Sequence, residues 1–259
     1  MKGRLFRGIA LPVFIVSPAM AANLPLKAPP VPPVAVSGWT GFYIGANAGY
    51  AFGQNSTSCS FTPGIGSPCQ GAAFPDLKSR GGLLGVEAGA NWQYQDWVLG
   101  AAVDWSALDV NASAYFPSID SGKSNQVASR YDWLGTARGR VGYAVGQSLF
   151  YGTGGLAFGR VNDSYGNDVL GTSLSNPARV FNMAVDRTGW TAGAGWEYRM
   201  AQNWDFKLEY LHVDLGGTTL DISASGTSGN SALGNPPGSS VVHFGNAFDL
   251  VRAGVDFRW

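Results

Sequence analysis

Charged residues are scarce in this sequence. They make up 13% of its 259 residues, and the formal net charge is zero; soluble domains usually carry about a quarter. A protein that binds nucleic acid normally has a basic excess, so the composition argues against nucleic acid as a partner. Cysteine and histidine are rare, with two of each. After residue 21, no apolar run reaches the roughly 18 residues that a membrane-spanning helix needs.

Glycine and aromatic residues are abundant instead, with 37 glycines and 13% aromatic residues. The clearest pattern lies in residues 188–215, where two runs of alternating apolar and polar side chains are joined by a short polar turn. Because side chains alternate across a β-strand, each run predicts a strand with one apolar and one polar face. The apolar faces carry aromatics near the strand ends, and the polar faces carry charges and glycines. That pattern is typical of a transmembrane β-barrel, whereas a soluble β-sandwich fills its apolar face with aliphatic residues.

The same alternation recurs along the chain and predicts eight strands. They are expected at 39–53, 84–94, 97–105, 130–144 and 149–159, twice within 188–215, and at 248–259. Tight turns alternate with four long polar loops, which are expected at 54–79, 106–129, 160–186 and 216–242. Outer-membrane barrels have this asymmetry, with short periplasmic turns and long external loops. The predicted fold is therefore all-β: an eight-stranded antiparallel up-and-down transmembrane β-barrel over residues 39–259.

The start of the chain has the features of an export signal. Lys2, Arg4 and Arg7 make the beginning of residues 1–21 positive, a short apolar stretch follows, and small residues form a cleavage site at the end. We therefore expect export through the general secretory route to the bacterial outer membrane. Residues 22–38 are rich in proline, which disfavours a central strand, and are expected to form an extended periplasmic segment.

The side chains opposite the apolar face are expected to point into the barrel lumen. The alternation of side chains along each strand, here called parity, predicts seven bases and seven acids there: Glu87, Asp104, Arg130, Asp132, Arg138, Arg140, Glu197, Arg199, Asp205, Lys207, Glu209, Arg252, Asp256 and Arg258. Because buried charge is costly unless it is paired, we expect a mutually neutralising network in which Arg138 and Arg140 meet Glu87 or Glu209. Such a network either lines a polar conduit or plugs the barrel. The narrow interior of an eight-stranded barrel favours the plug.

The outward-facing tryptophans fall at two heights. Trp92, Trp97, Trp196, Trp204 and Trp259 lie near the tight turns or the C-terminus, and Trp105, Trp133 and Trp190 lie near the long loops. We expect them to form two aromatic girdles at the membrane interfaces, in contact with outer-membrane lipid and lipopolysaccharide.

The rare residue types leave few candidates for chemistry. Cys59 and Cys69 lie close together in the first long loop, and in an exported protein a disulfide between them is expected. His212 and His243 flank the fourth long loop and are expected to face each other at the outer rim, where they could serve a hydrolase- or acyltransferase-type site with Asp214 or bind a metal. No spacing motif supports either role, so we expect no catalytic residue, no metal site and no cofactor.

Three segments resemble a known family. They are W-T-G-F-Y-I-G-A-N-A-G-Y at 39–50, L-F-Y-G-T-G-G-L-A-F-G at 149–159 and G-W-T-A-G-A-G-W-E-Y at 189–198. They are similar to the small β-barrel outer-membrane proteins of alphaproteobacteria, the porin-family or major outer-membrane proteins related to opacity-type surface barrels. The resemblance implies an eight-stranded fold and a role in envelope integrity and surface exposure. It also implies that Trp259 acts as the C-terminal signal for the outer-membrane assembly machinery, although phenylalanine is commoner there.

Three functions fit the sequence. The favoured one is a structural, surface-exposed barrel without catalytic activity. The alternatives are a narrow diffusion channel and a lipid-modifying barrel enzyme that uses His212 or His243. The long loops are expected to contact an external ligand, but their composition carries no motif that identifies it.

Overall fold

The computed structural model describes residues 38–63, 73–117, 124–167, 179–223 and 240–259. Eleven strands lie in these ranges: β1 Gly41–Asn55, β2 Thr57–Phe61, β3 Leu77–Tyr94, β4 Trp97–Pro117, β5 Ser124–Val145, β6 Ser148–Asn167, β7 Arg179–Ala201, β8 Trp204–Asp214, β9 Thr218–Asp221, β10 Ser240–Phe244 and β11 Ala247–Arg258. Among the described residues there is no helix long and apolar enough to cross a membrane. The predicted signal peptide, and the proline-rich segment up to residue 37, lie outside the described residues.

Eight of the strands close into a barrel in the order β1-β11-β8-β7-β6-β5-β4-β3. All neighbours are antiparallel, and the ring closes because β1 pairs with β3 on one side and with β11 on the other. Tyr43 lies opposite Arg258 at one end of this last seam, and Phe52 lies opposite Asp249 at the other. Closure gives every strand two partners, so no strand edge faces lipid with unpaired backbone groups. The predicted eight-stranded up-and-down barrel is confirmed.

Three two-residue turns join neighbouring strands at one end, which we call the periplasmic end. They follow Tyr94, Val145 and Ala201, close to the predicted positions. Gln95 and Gly146, the first residues of two of these turns, have φ angles of 54° and 59°. Two-residue hairpin turns need such left-handed backbone because it matches the twist of the strands. The opposite end of the barrel is called the external end.

The eight tryptophans predicted for the girdles lie on the outer surface. Six of them are between 48% and 66% exposed, and Trp133 and Trp196 are half-buried. On β4, Trp97 and Trp105 mark the two heights and are eight residues apart. With about 3.4 Å per residue and a strand tilt of about 40°, this spacing corresponds to roughly 21 Å, close to the apolar band of outer-membrane barrels.

The strands continue well beyond the outer girdle. β4 has 21 residues and β5 has 22, so they extend about 30 Å past Trp105 and its neighbours. Large parts of the predicted long loops are therefore strands, and the predicted strand ends were wrong. The physical reason is an apolar cluster at the external end, in which Phe116, Val127 and Tyr165 are buried. This cluster supports strand pairing outside the membrane.

A three-stranded sheet in the order β2-β10-β9 continues the wall at the external end. Its strands continue β1, β11 and β8 after short breaks, and Leu220, Val242 and Phe244 on its inner face join the external apolar cluster. Beneath it, the Tyr131 hydroxyl accepts a hydrogen bond from Asn55 Nδ2 at 3.4 Å and donates to Asn246 Oδ1 at 3.2 Å. These three strands lie in segments that were predicted to lie between the barrel strands, and they were not predicted from the sequence.

Candidate functional site in the barrel lumen

A layer of buried ion pairs fills the middle of the lumen. Arg252 Nη2 lies 2.6 Å from Glu209 Oε2, and its Nη1 lies 3.1 Å from Asp104 Oδ1. Arg138 contacts the same two carboxylates, at 2.8 Å and 2.9 Å. These four side chains are at most 2% exposed. Each guanidinium bridges two acids, so the four buried charges neutralise one another.

Lys207 extends this layer toward the seam between β1 and β11. Its ammonium pairs with Glu87 and lies 3.4 Å from Asp256 Oδ2. Glycines on β1 make room for the long side chains: a Cβ at Gly49 would lie 2.7 Å from the Cβ of Arg252. The glycine on β1 that faces Arg252 therefore leaves space for its long side chain in the lumen.

A second group of ion pairs lies nearer the periplasmic end. Arg140 Nη1 is 2.5 Å from Glu197 Oε1, and Arg258 Nη2 is 2.8 Å from Asp205 Oδ2. Arg199 Nε is 3.0 Å from the other oxygen of Asp205. Arg140 thus meets Glu197 and neither of the acids predicted for it, whereas Arg138 meets the predicted Glu209.

Trp39 seals the periplasmic mouth. Its ring is buried, with the guanidinium carbons of Arg199 and Arg258 at 4.4 Å and 5.2 Å from the ring centroid. Gly41, at φ 143°, turns the chain from the lumen into the wall, and a Cβ there would lie 2.6 Å from the carbonyl oxygen of Trp259. From the sequence, Trp39 was predicted at the start of a strand, and this role was not predicted. The glycines on both sides of Trp39-Thr40 were the available signal.

An apolar layer crosses the lumen on the external side of the ion pairs. Its side chains come from seven of the eight barrel strands and from Leu215, which follows β8. They are at most 7% exposed: Ala51, Leu83, Leu108, Val110, Tyr131, Leu134, Ala157, Val161, Leu211, Val213, Leu215, Phe248 and Leu250. The alternation along the strands predicts a polar lumen, so this layer was not predicted. On β8 the signal was visible, because the inward positions change from charged to aliphatic at Leu211.

The placement predicted for Arg130 and Asp132 was wrong. Their side chains are 62% and 35% exposed, and they pair with each other at 3.1 Å on the outer surface. The pairing of β5 with β6 shifts register between Tyr131 and Trp133. Such an irregularity moves the alternation by one residue, so Tyr131 turns into the lumen and its neighbours turn outward.

The two histidines lie in different sheets and do not face each other as predicted. His212 is on β8 of the barrel, with Nδ1 2.8 Å from Asp249 Oδ1, and that oxygen also accepts a hydrogen bond from the Tyr210 hydroxyl at 2.7 Å. His243 is on β10, with Nδ1 3.2 Å from the Thr219 hydroxyl. In the described part of the chain, no group of three or more His, Cys, Asp or Glu side chains is arranged to hold a metal ion.

Cys59 lies on β2 and packs against the external apolar cluster. Its sulfur is disulfide-bonded. Cys69, the partner predicted from the sequence, lies outside the described residues, in the segment between β2 and β3.

Comparisons with known proteins agree with this geometry. Residues 14–231 match the family described as "Outer membrane protein beta-barrel domain". The "31 kDa outer-membrane immunogenic protein" of Brucella melitensis is 37% identical over 268 residues, covering 100% of both chains. The "22 kDa outer membrane protein" of Rhizobium leguminosarum bv. viciae is 31% identical over 192 residues, covering 73% of this chain and 71% of the relative.

Among solved structures, the outer membrane protein OprG from Pseudomonas aeruginosa superposes with a TM-score of 0.52. The alignment covers 86% of this chain and 98% of OprG at 14% identity, so the likeness concerns the fold alone. The family match and the relatives, in contrast, extend over most of the sequence. The chain therefore belongs to the outer membrane β-barrel protein family, and its location is the bacterial outer membrane.

Proposed function

We propose that this protein is a closed, non-enzymatic barrel that reinforces the outer membrane and displays its external end at the cell surface. The observation that carries the proposal is the apolar layer across the lumen, where side chains such as Leu134, Leu211 and Phe248 are at most 1% exposed. The ionic layer and Trp39 lie beneath it. An ion crossing the barrel would have to pass desolvated aliphatic groups, which act as a barrier by excluding water.

The competing function of a diffusion channel makes a different prediction. Purified protein is refolded into lipid vesicles, which are then fused with a planar bilayer, and no conductance steps are expected. Protease protection of the protein in those vesicles shows that it has inserted. A known open porin under identical conditions is the control. Steady nanosiemens steps from the wild-type protein would overturn the closed-barrel proposal.

Surface display is supported by the length of the external extension. β4, β5, β6 and β7 project past the outer girdle and enclose an apolar core of their own, so this part is a folded structure. The relatives from Brucella are named immunogenic outer-membrane proteins. Antibodies raised against the external end are expected to label intact cells, and labelling that appears only after permeabilisation would contradict the orientation. An external ligand contacted by this end is part of the proposal.

The His212–Asp249 pair supports a weaker, enzymatic alternative, because a carboxylate that orients an imidazole is a common catalytic arrangement. Within the described ranges, no serine, threonine or cysteine side chain hydrogen bonds the His212 ring, so a nucleophile is missing from this arrangement. We expect a strain carrying His212→Gln and His243→Gln to keep unchanged lipid A and phospholipid profiles. A changed profile would establish the enzyme instead.

Trp259 is proposed as the signal for the outer-membrane assembly machinery. It is 60% exposed, its amide donates to the carbonyl of Phe42 at 3.2 Å, and its ring stacks on Phe42 with centroids 6.4 Å apart. Trp259→Phe is expected to assemble normally and Trp259→Ala to lower the amount of folded protein in the membrane. Equal amounts of folded Trp259→Phe and Trp259→Ala protein in the membrane would show that Trp259 is not an assembly signal.

A further inference from the structure

A groove of about 830 Å³ lies on the outer wall of the barrel, at the external extension. Two adjacent rows of outward side chains on β3 to β7 line it. The lower row is Arg80, Asn111, Arg130, Asn162 and Ala184, and the upper row is Lys78, Ser113, Ala128, Ser164 and Asn182. Between Lys78 and Asn182 the upper row has only small side chains, which leaves the space of the groove open.

The accessible charge of this groove is positive. Among the described residues, neither Lys78 nor Arg80 forms an ion pair, and Arg130 uses its Nε for Asp132 while remaining 62% exposed. Asp163 is the acid among the lining residues, but its side chain points inward, is 1% exposed and accepts a 2.6 Å hydrogen bond from Ser129. The groove thus combines two cations that are unpaired within the described residues, a third cation shared with Asp132, and amide and hydroxyl groups.

The position of the groove relative to the membrane can be measured from the outer girdle of tryptophans. Arg130 is three residues from Trp133, which corresponds to about 8 Å above the girdle for a strand tilted by about 40°. Interfacial tryptophans sit at the boundary between acyl chains and headgroups, so this groove lies at the level of the outer-leaflet headgroups. The headgroup of an outer-leaflet lipid can therefore contact the groove while its acyl chains stay in the membrane.

We propose that this groove binds the phosphorylated sugar headgroup of the outer-leaflet glycolipid. Guanidinium and ammonium groups bind phosphate through charge-assisted hydrogen bonds. Asn182 supplies an amide, and Ser113 and Ser164 supply hydroxyls, for the sugar hydroxyl groups. Asn111 and Asn162 each donate one amide N–H to a neighbouring carboxylate, Asp109 at 2.9 Å and Asp132 at 2.7 Å, and keep a second N–H and the amide oxygen for a sugar. The site rests on the proposed function in one respect, the insertion of the barrel in the outer membrane, and is independent of whether the lumen is closed.

The test is a titration of the refolded full-length protein in zwitterionic detergent, followed by native mass spectrometry. Three probes are compared: bis-phosphorylated lipid A, the same lipid A after dephosphorylation, and inorganic phosphate. The wild-type protein is expected to retain one lipid A, to bind the dephosphorylated lipid at least about tenfold more weakly, and to ignore inorganic phosphate at matched concentrations, since each basic contact near a membrane surface contributes a several-fold gain.

Substitutions locate the site. Lys78→Gln and Arg80→Gln are each expected to weaken lipid A binding about fivefold, and the double variant roughly 25-fold. Ala128→Trp fills the groove without changing charge and is expected to weaken binding as well. Arg160→Gln is the matched control, because this exposed arginine is paired with Asp186 at 2.8 Å and lies outside the groove. The affinity of this variant for lipid A is expected to stay within about twofold of the wild-type value.

The proposal is overturned if the double variant binds lipid A within twofold of wild type, or if the dephosphorylated lipid binds equally well. Displacement of lipid A by inorganic phosphate at equal concentration would also overturn it, because the site would then be a simple anion site. A conducting wild-type barrel refutes the closed lumen but leaves this titration unchanged. Failure of the two proposals is therefore distinguishable.

Discussion

Removing Arg252 tests whether the luminal ion pairs form a desolvated layer. Its guanidinium donates from Nε to Glu209 at 2.8 Å and from Nη1 to Asp104 at 3.1 Å, and its Nη2 lies 3.7 Å from Glu87. Arg252→Met keeps a long unbranched side chain but removes the charge. The three carboxylates then face only Arg138 and Lys207. Because Lys207 is also shared with Asp256, the lost guanidinium leaves one additional buried negative charge without a partner.

The expected cost follows from this unmatched charge. Breaking a buried ion pair by removing one partner destabilises a protein by about 3–5 kcal/mol, because the remaining charge stays desolvated. The free energy of unfolding is measured by urea titration of the protein in lipid vesicles, with tryptophan fluorescence as the signal. Arg160→Met is the matched control: Arg160 and Asp186 form an exposed pair with 48% and 58% side-chain exposure. Loss of such a surface pair costs about 0–1 kcal/mol.

A double variant separates charge imbalance from lost packing. Arg252→Met combined with Glu209→Gln removes one base and one acid from the same contact and restores neutrality. We expect the double variant to be more stable than the sum of the single effects predicts, by about 2 kcal/mol. Two results would refute a desolvated luminal layer: a cost below about 1 kcal/mol for Arg252→Met, or a double variant whose destabilisation equals the sum of the two single effects. Either would mean that water solvates these charges.

Three further predictions concern other parts of the fold. Gly41→Ala is expected to cost about 2–3 kcal/mol in the urea assay because of its positive φ and the close carbonyl of Trp259, whereas Gly82→Ala, with open space around it, is the neutral control. Burial raises the pKa of the Asp163 carboxyl at the external end; the folded state therefore binds the proton more tightly, and stability falls as pH rises above the ordinary pKa of an aspartate, about 4. Asp163→Asn should abolish that fall in urea titrations above this pH. Cys59→Ser removes the disulfide and is expected to destabilise the external sheet by up to about 3 kcal/mol. Proteolysis of that sheet should then be faster, while the membrane-embedded barrel stays resistant.

Much of the site was predictable on strands with uninterrupted alternation. On β8, the positions of Asp205, Lys207 and Glu209 followed from a period of two, and all three side chains are buried in the lumen. On β5, the same counting failed above Leu134, because the register shift beside Tyr131 depends on pairing with β6 and leaves no mark in the alternation. Parity is thus a reliable guide only up to the first irregularity in a strand.

The sequence by itself determined that the chain is a membrane barrel, since alternation, tight turns and girdle tryptophans are local features that each strand carries alone. Only the tertiary structure decided which acid neutralises which base, that Trp39 folds back into the mouth, and that Thr57–Phe61 pairs with Ser240–Phe244 from the far end of the chain. These outcomes depend on closure of the ring, because strands that are distant in sequence become neighbours and their inward side chains share one narrow space.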